Sequence, residues 1–134
     1  MMISTFDELL QTARQQPLAQ HLLLVYTQAE LPDDSTQAQR DEFAAGMGGV
    51  LTPAVCVDKR ASEIESFAEL EKEAREFIEG WDVLFAAAMD VMPGQEMSDS
   101  AISAAMNQMI ELVKSGQISR LISFDREGNA ISLA

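Results

Sequence analysis

The sequence predicts an α/β (or α+β) fold, with a mixed, mostly parallel sheet of about five strands, packed helices and a C-terminal antiparallel hairpin. Three observations predict it. Short uninterrupted apolar runs, of the kind found in strands covered on both faces, alternate with amphipathic segments of helical period. Strand–helix–strand units follow one another in series, and each helix is long enough to cross between parallel strands. The 134 residues suffice for one domain with its own core, and 47% of them are apolar. No repeat, linker or low-complexity stretch divides them, so residues 1–134 read as a single globular domain.

Thr5 and Glu8 have capping-box spacing ahead of the stripe Phe6, Leu9, Leu10 and Ala13, which ends before Pro17. Leu22 to Tyr26 is a continuous apolar run and reads as a strand buried on both faces. Leu31 to Ser35 breaks it, and Thr36 to Ala45 reads as a short polar helix that Gly46 terminates. Gly48 and Gly49 lead into Val50 to Val57. Pro53 within that run cannot donate to a ladder, which marks an irregular start or a sheet edge.

Ser62 and Glu65 form a second capping box. It opens a long helix with the stripe Ile64, Phe67, Ala68, Ala74, Phe77 and Ile78, and with Gly80 beyond its end. Val83 to Met89 is uniformly apolar and reads as the central, most buried strand. Met92, Pro93 and Gly94 form a loop, and Ser98 with Asp99 opens another helix. Its stripe is Ile102, Ala105, Met106, Met109, Leu112 and Val113, with Lys114 in the last turn and Gly116 after it. Ile118 to Phe124 is a strand, Asp125 to Asn129 a turn, and Ala130 to Leu133 a short returning strand.

The charge narrows the function classes. With 22 acidic against 9 basic side chains the formal charge is −13, so no nucleic-acid partner is expected, because phosphate contacts need clustered Lys and Arg. No apolar run approaches the roughly 20 residues of a membrane span, and the first residues lack a basic segment followed by an apolar one. No membrane association is expected. Cys56 is the lone cysteine, which excludes an internal disulfide and a multi-cysteine metal site and suits a reducing cytoplasm.

Three stretches, Ile3 to Pro17, Glu30 to Lys59 and Phe124 to Leu133, resemble a family of small uncharacterised bacterial proteins of about this whole length. Some of its members carry the label "ribonucleotide reductase alpha subunit". That label implies a radical-bearing cysteine, a reducing cysteine pair and a large barrel; Cys56 is the only cysteine and 134 residues are too few for the barrel, so no catalytic residue of that enzyme can be placed on this sequence. A weaker similarity is to the enhanced-serine-sensitivity protein family. It is carried by a leading helix with Leu9 and Leu10, a strand, and a Pro-containing strand running into a helix.

Several groups are candidates for chemistry. The strands end in acids, Asp58, Asp90 and Asp125. Were the strands parallel, all three carboxylates would share one sheet edge, where open α/β sheets bind ligands and where Mg²⁺ finds oxygen ligands. Each also has a sufficient local reason to sit where a strand gives way to a turn. No phosphate-cradling glycine loop accompanies them, since Gly46, Gly48 and Gly49 precede a strand. No metal or cofactor is expected on this reading. Cys56 would need His21, Lys59 or Arg60 nearby to act as a nucleophile, and its apolar neighbours fit a structural cysteine better. Met89, Met92, Met97, Met106 and Met109 could hold Cu(I), but their positions on apolar stripes fit core filling.

The second long helix is the most charged part of the chain. Glu65, Glu69, Glu73 and Glu76 mark an acidic face suited to a basic partner. No catalytic residue is assigned. The sequence therefore reads as an acidic, non-catalytic binding or regulatory protein acting through a protein partner or self-association. The alternative is a small Mg-dependent or phosphate-handling enzyme using the strand-end aspartates.

Overall fold

The computed structural model of the protein describes residues 3–31, 33–44 and 50–132. In chain order it contains α1 (Phe6–Arg14), β1 (Ala19–Glu30), α2 (Gln37–Ala44) and β2 (Val50–Arg60). A single 3₁₀ turn (Ala61–Glu63) follows, then α3 (Phe67–Ala74), β3 (Val83–Val91), α4 (Asp99–Lys114), β4 (Ile122–Phe124) and β5 (Ala130–Ile131). Ala45, Gly46, Gly48, Gly49 and Leu133, to which the sequence also assigns roles, lie outside the described residues.

The strands form one sheet in the order β2-β1-β3-β4-β5, and every neighbouring pair is antiparallel. The expected mostly parallel sheet is therefore corrected to an α+β fold with an antiparallel one. Uninterrupted apolarity in β1 and β3 reports that both faces are covered, and says nothing about strand direction. Here helices cover both faces. Leu22, Leu24 and Tyr26 of β1 with Leu84 and Ala86 of β3 pack under α1 and α3, while Leu23, Val25, Val83 and Phe85 pack under α4. Helical connections also permit more than one strand direction. Only the passage from β2 through α3 to β3 joins strands of like direction, and β1 lies between them.

The caps explain which helices match the sequence reading. Thr5 accepts from the Glu8 N–H (3.2 Å) to start α1, and Ser98 accepts from the Ala101 N–H (3.1 Å) to start α4. The long second helix is shorter than expected. Ser66, not Ser62, caps α3 by accepting from the Glu69 N–H at 3.2 Å. Ser62 falls in the 3₁₀ turn, and buried Ile64 is extended, its carbonyl accepting from the Arg14 guanidinium. The Phe67 N–H donates to Asp7 of α1 (2.8 Å), which fixes where α3 begins. The expected stripe shifts accordingly. Leu70 and Ala74 are buried, while Ala68 is exposed and Phe77, beyond the helix, is 67% exposed.

Pro53 stands where the sequence places an edge. β2 has a neighbour on one side only, and the pairing slips there, with Tyr26 opposite Val55 and Thr27 opposite Pro53. Ala54 is left over as the extra residue of a bulge, which twists the edge and discourages further pairing. Next to the other edge strand, β5, the strand expected over Ile118 to Phe124 contracts to Ile122–Phe124, because residues 118–121 turn into it.

Rings join the layers. Phe6 stacks against both Phe124 (5.3 Å) and Phe67 (5.7 Å), and Phe67 meets Trp81 at 6.3 Å. Gly128 in the β4–β5 turn has φ +83° and lies so close to Phe67 that an added Cβ would sit 2.8 Å from the ring. Gly116, at φ +75°, has open space instead. A denaturant melt should separate the two. Gly116→Ala should lose about 1–2 kcal/mol from the left-handed backbone alone. Gly128→Ala should lose about 1–3 kcal/mol more, because the crowded ring has to move. Equal losses would contradict this packing.

Candidate functional site

The antiparallel sheet separates the strand-end aspartates. β2 and β3 point the same way, so Asp58 and Asp90 share one end of the sheet, but Asp58 lies opposite Leu23 and Asp90 opposite Gln20, on different faces. β4 runs the other way, so Asp125 lies at the far end. Each carboxylate has local partners. Gln20 Nε2 donates to Asp90 (2.7 Å), and one Asp125 oxygen accepts the Glu127 and Asn129 N–H groups, both at 2.9 Å. Among the described residues no group of three or more His, Cys, Asp or Glu side chains is placed to hold a metal ion.

Asp58 has a partner that the sequence does not reveal. His21 Nε2 lies 2.8 Å from Asp58 Oδ2. A carboxylate can only accept, so Nε2 carries the hydrogen, and Nδ1 is buried without a partner. A histidine at the start of one strand meets an aspartate near the end of the next only when the two run antiparallel.

Cys56 is exposed on the edge strand opposite Val25, on the same face as Asp58. Partial burial of the thiol raises its pKa above the ordinary 9.0. Two of the groups that would activate it are engaged elsewhere, His21 with Asp58 and Lys59 with Glu73. The thiol is therefore a poor nucleophile. Of the methionines, Met106 and Met109 are core residues on the buried face of α4, and Met92 is exposed in the loop between β3 and α4.

The predicted acidic residues do come together. Glu65, Glu69, Glu73 and Glu76 line one cleft of about 330 Å³ between the end of β2, the 3₁₀ turn and α3, joined there by Glu63. They do not form one helical stripe, since Glu65 precedes the α3 cap and Glu76 follows the helix. The floor is Ile64 and Leu70, both buried. Lys59 reaches in from β2, but Glu73 takes it with both oxygens, at 2.6 and 2.8 Å. Glu65, Glu69 and Glu76 have no ion-pair partner among the described residues. Lys72, on the ridge of α3, has none either.

Tyr26 lies beneath the same helix. It is fully buried, its ring meets Trp81 at 5.2 Å, and its hydroxyl has no partner. Burial raises its pKa far above the usual range, and the charges of Glu71 and Glu73 push the same way.

No family model, no curated protein and no solved structure matches this chain. No helix among the described residues is long and apolar enough to cross a membrane.

Two measurements test these environments. Tyr26 is the chain's only tyrosine, so absorbance at tyrosinate wavelengths reads it alone. Its folded pKa is raised, so the stability it contributes is complete below the ordinary 10.0 and drains away as pH rises above it. Tyrosinate should therefore appear only together with base-induced unfolding; its reversible formation near pH 10.0 in the folded protein would contradict the burial. For Cys56, alkylation by iodoacetamide at mildly alkaline pH should be slower in the folded chain than in the unfolded one, despite exposure. A faster folded-state reaction would show an activated thiolate.

Proposed function

We propose that the protein is a non-catalytic binding or regulatory protein that docks a basic protein segment in the α3 cleft. The observation that carries this reading is the meeting of five glutamates around one cleft, four of them without an ion-pair partner among the described residues, over the apolar floor of Ile64 and Leu70. A Lys or Arg side chain suits both parts, since its stem covers apolar surface while its head meets carboxylates. The chain's charge of −13 adds a field that speeds the approach of such a partner and turns nucleic acids away. Cys56 fits a cytoplasmic setting, where a lone thiol stays reduced.

The test is association with a fluorescent Lys/Arg-rich peptide, followed against salt. Glu65→Lys, Glu69→Lys and Glu76→Lys together leave the Lys59–Glu73 pair intact. The triple variant should bind about tenfold or more weakly. It should keep its stability to within about 0.5 kcal/mol per site. A control that reverses Asp33, Glu42 and Glu96 makes the same change in net charge on other exposed surfaces, and should weaken binding far less. Equal losses in the two triples would reduce the cleft to part of a general acidic surface.

A further inference from the structure

The other flank of α3 borders a larger hollow of about 890 Å³, between the helix and the β4–β5 turn. Phe67 and Trp81 line it, and a neighbouring hollow of about 340 Å³ shares Gly80, Trp81 and Arg126 with it. Both volumes fall within the range of small-molecule sites, which combine apolar walls with a few convergent polar groups.

The charges around this hollow differ from those of the rest of the molecule. Lys72, Arg75 and Arg126, three of only 9 basic residues in the chain, line it against Glu71 and Glu79. Arg75 Nε donates to Glu71 (2.8 Å), and an Arg126 Nη2 donates to Asp82, whose other oxygen accepts the Ala29 N–H at 2.7 Å. Each guanidinium thus spends one nitrogen on a carboxylate that fixes it, and keeps further N–H donors. Lys72 is unpaired among the described residues.

Trp81 supplies a second, independent observation. It is 95% buried by its 5% exposure, yet its indole N–H has no acceptor among the described residues. That nitrogen is also not among the fully sealed, unpartnered atoms, which are His21 Nδ1 and the Tyr26 hydroxyl. Trp81 lines both hollows, so this unpartnered donor belongs to the wall they share. Gly80 keeps their shared mouth clear, since a Cβ there would meet nothing within 4 Å.

We propose that this hollow binds a small aromatic carboxylate or sulfonate, its ring against Phe67 and its anionic group held by the Trp81 N–H, Arg126 and Lys72. A neutral aromatic would leave the donors unanswered, and an aliphatic anion would leave the Phe67 wall uncovered. The site is separate from the acidic cleft, although Lys72 borders both.

The probe is 8-anilinonaphthalene-1-sulfonate, an aromatic sulfonate that the chain's overall charge repels from other surfaces. Trp81 is the only tryptophan, so quenching of its emission by energy transfer reports proximity to this residue. Saturable binding with Trp81 quenching is expected, reversed by benzoate but not by acetate. Gly80→Leu, which fills the mouth, and Lys72→Gln, an exposed change that leaves folding intact, should each bind about tenfold more weakly. The Glu65, Glu69 and Glu76 reversals should leave probe binding no weaker, which separates this site from the cleft. Absence of saturable quenching in the wild type, or unchanged binding in Lys72→Gln, would overturn the proposal.

Discussion

Everything in this molecule depends on β1 having no free side. Both of its edges are paired, with β2 and with β3, and its residues 20–27 are buried without interruption. α1 and α3 close one face and α4 the other. Each fully buried aliphatic side chain in such a strand contributes about 1.5–3 kcal/mol relative to exposure. The polar groups at its ends are matched within the sheet: Thr27 donates to the Val83 carbonyl (2.8 Å) and Gln20 to Asp90 (2.7 Å). The Tyr26 hydroxyl and His21 Nδ1 stand outside this matching.

Sealing β1 also decides where chemistry can occur. With the centre of the sheet inaccessible, open surface remains along its edges, ends and covering helices. α3 acts as a wedge between two hollows of different character. On one flank carboxylates gather over Ile64 and Leu70, and on the other Lys72, Arg75 and Arg126 mix with Glu71 and Glu79 around Phe67 and Trp81. A helix of 8 residues achieves this because residues three or four apart share a flank: Glu69 and Glu73 face the cleft, Ala68 and Glu71 the hollow, and Lys72 borders both. Contacts with distant residues hold the wedge in place, Asp7 at its first N–H and Gly128 beneath the Phe67 ring.

Local signals in the sequence were sufficient for α1 and α4, where cap, apolar stripe and terminating residue agree. They were ambiguous for α3, because Ser62 with Glu65 and Ser66 with Glu69 are equally good capping pairs. Contacts from α1 to Ile64 and Phe67 select the second, and no local pattern contains them. Strand direction was hidden for a related reason: apolar continuity records coverage, and coverage is the same for either direction. Only parallel strands would place Asp58, Asp90 and Asp125 on one edge, and the antiparallel pairing parts them. The gathering of Glu65, Glu69, Glu73 and Glu76 is legible because they are close in sequence, whereas the cleft they line, with Glu65 and Glu76 outside the helix, is not. The aromatic hollow was not, since Phe67, Trp81 and Arg126 meet only once α3 and the β4–β5 turn are docked.

The central claim, that β1 is sealed on every side and carries the fold, is tested most directly by native-state hydrogen exchange of its amides. The account predicts that hydrogen-bonded amides within 21–27 exchange only through global unfolding, with a free energy equal to that from denaturant melts. Exchange of those amides through a smaller opening, while β3 and α4 stay protected, would contradict it.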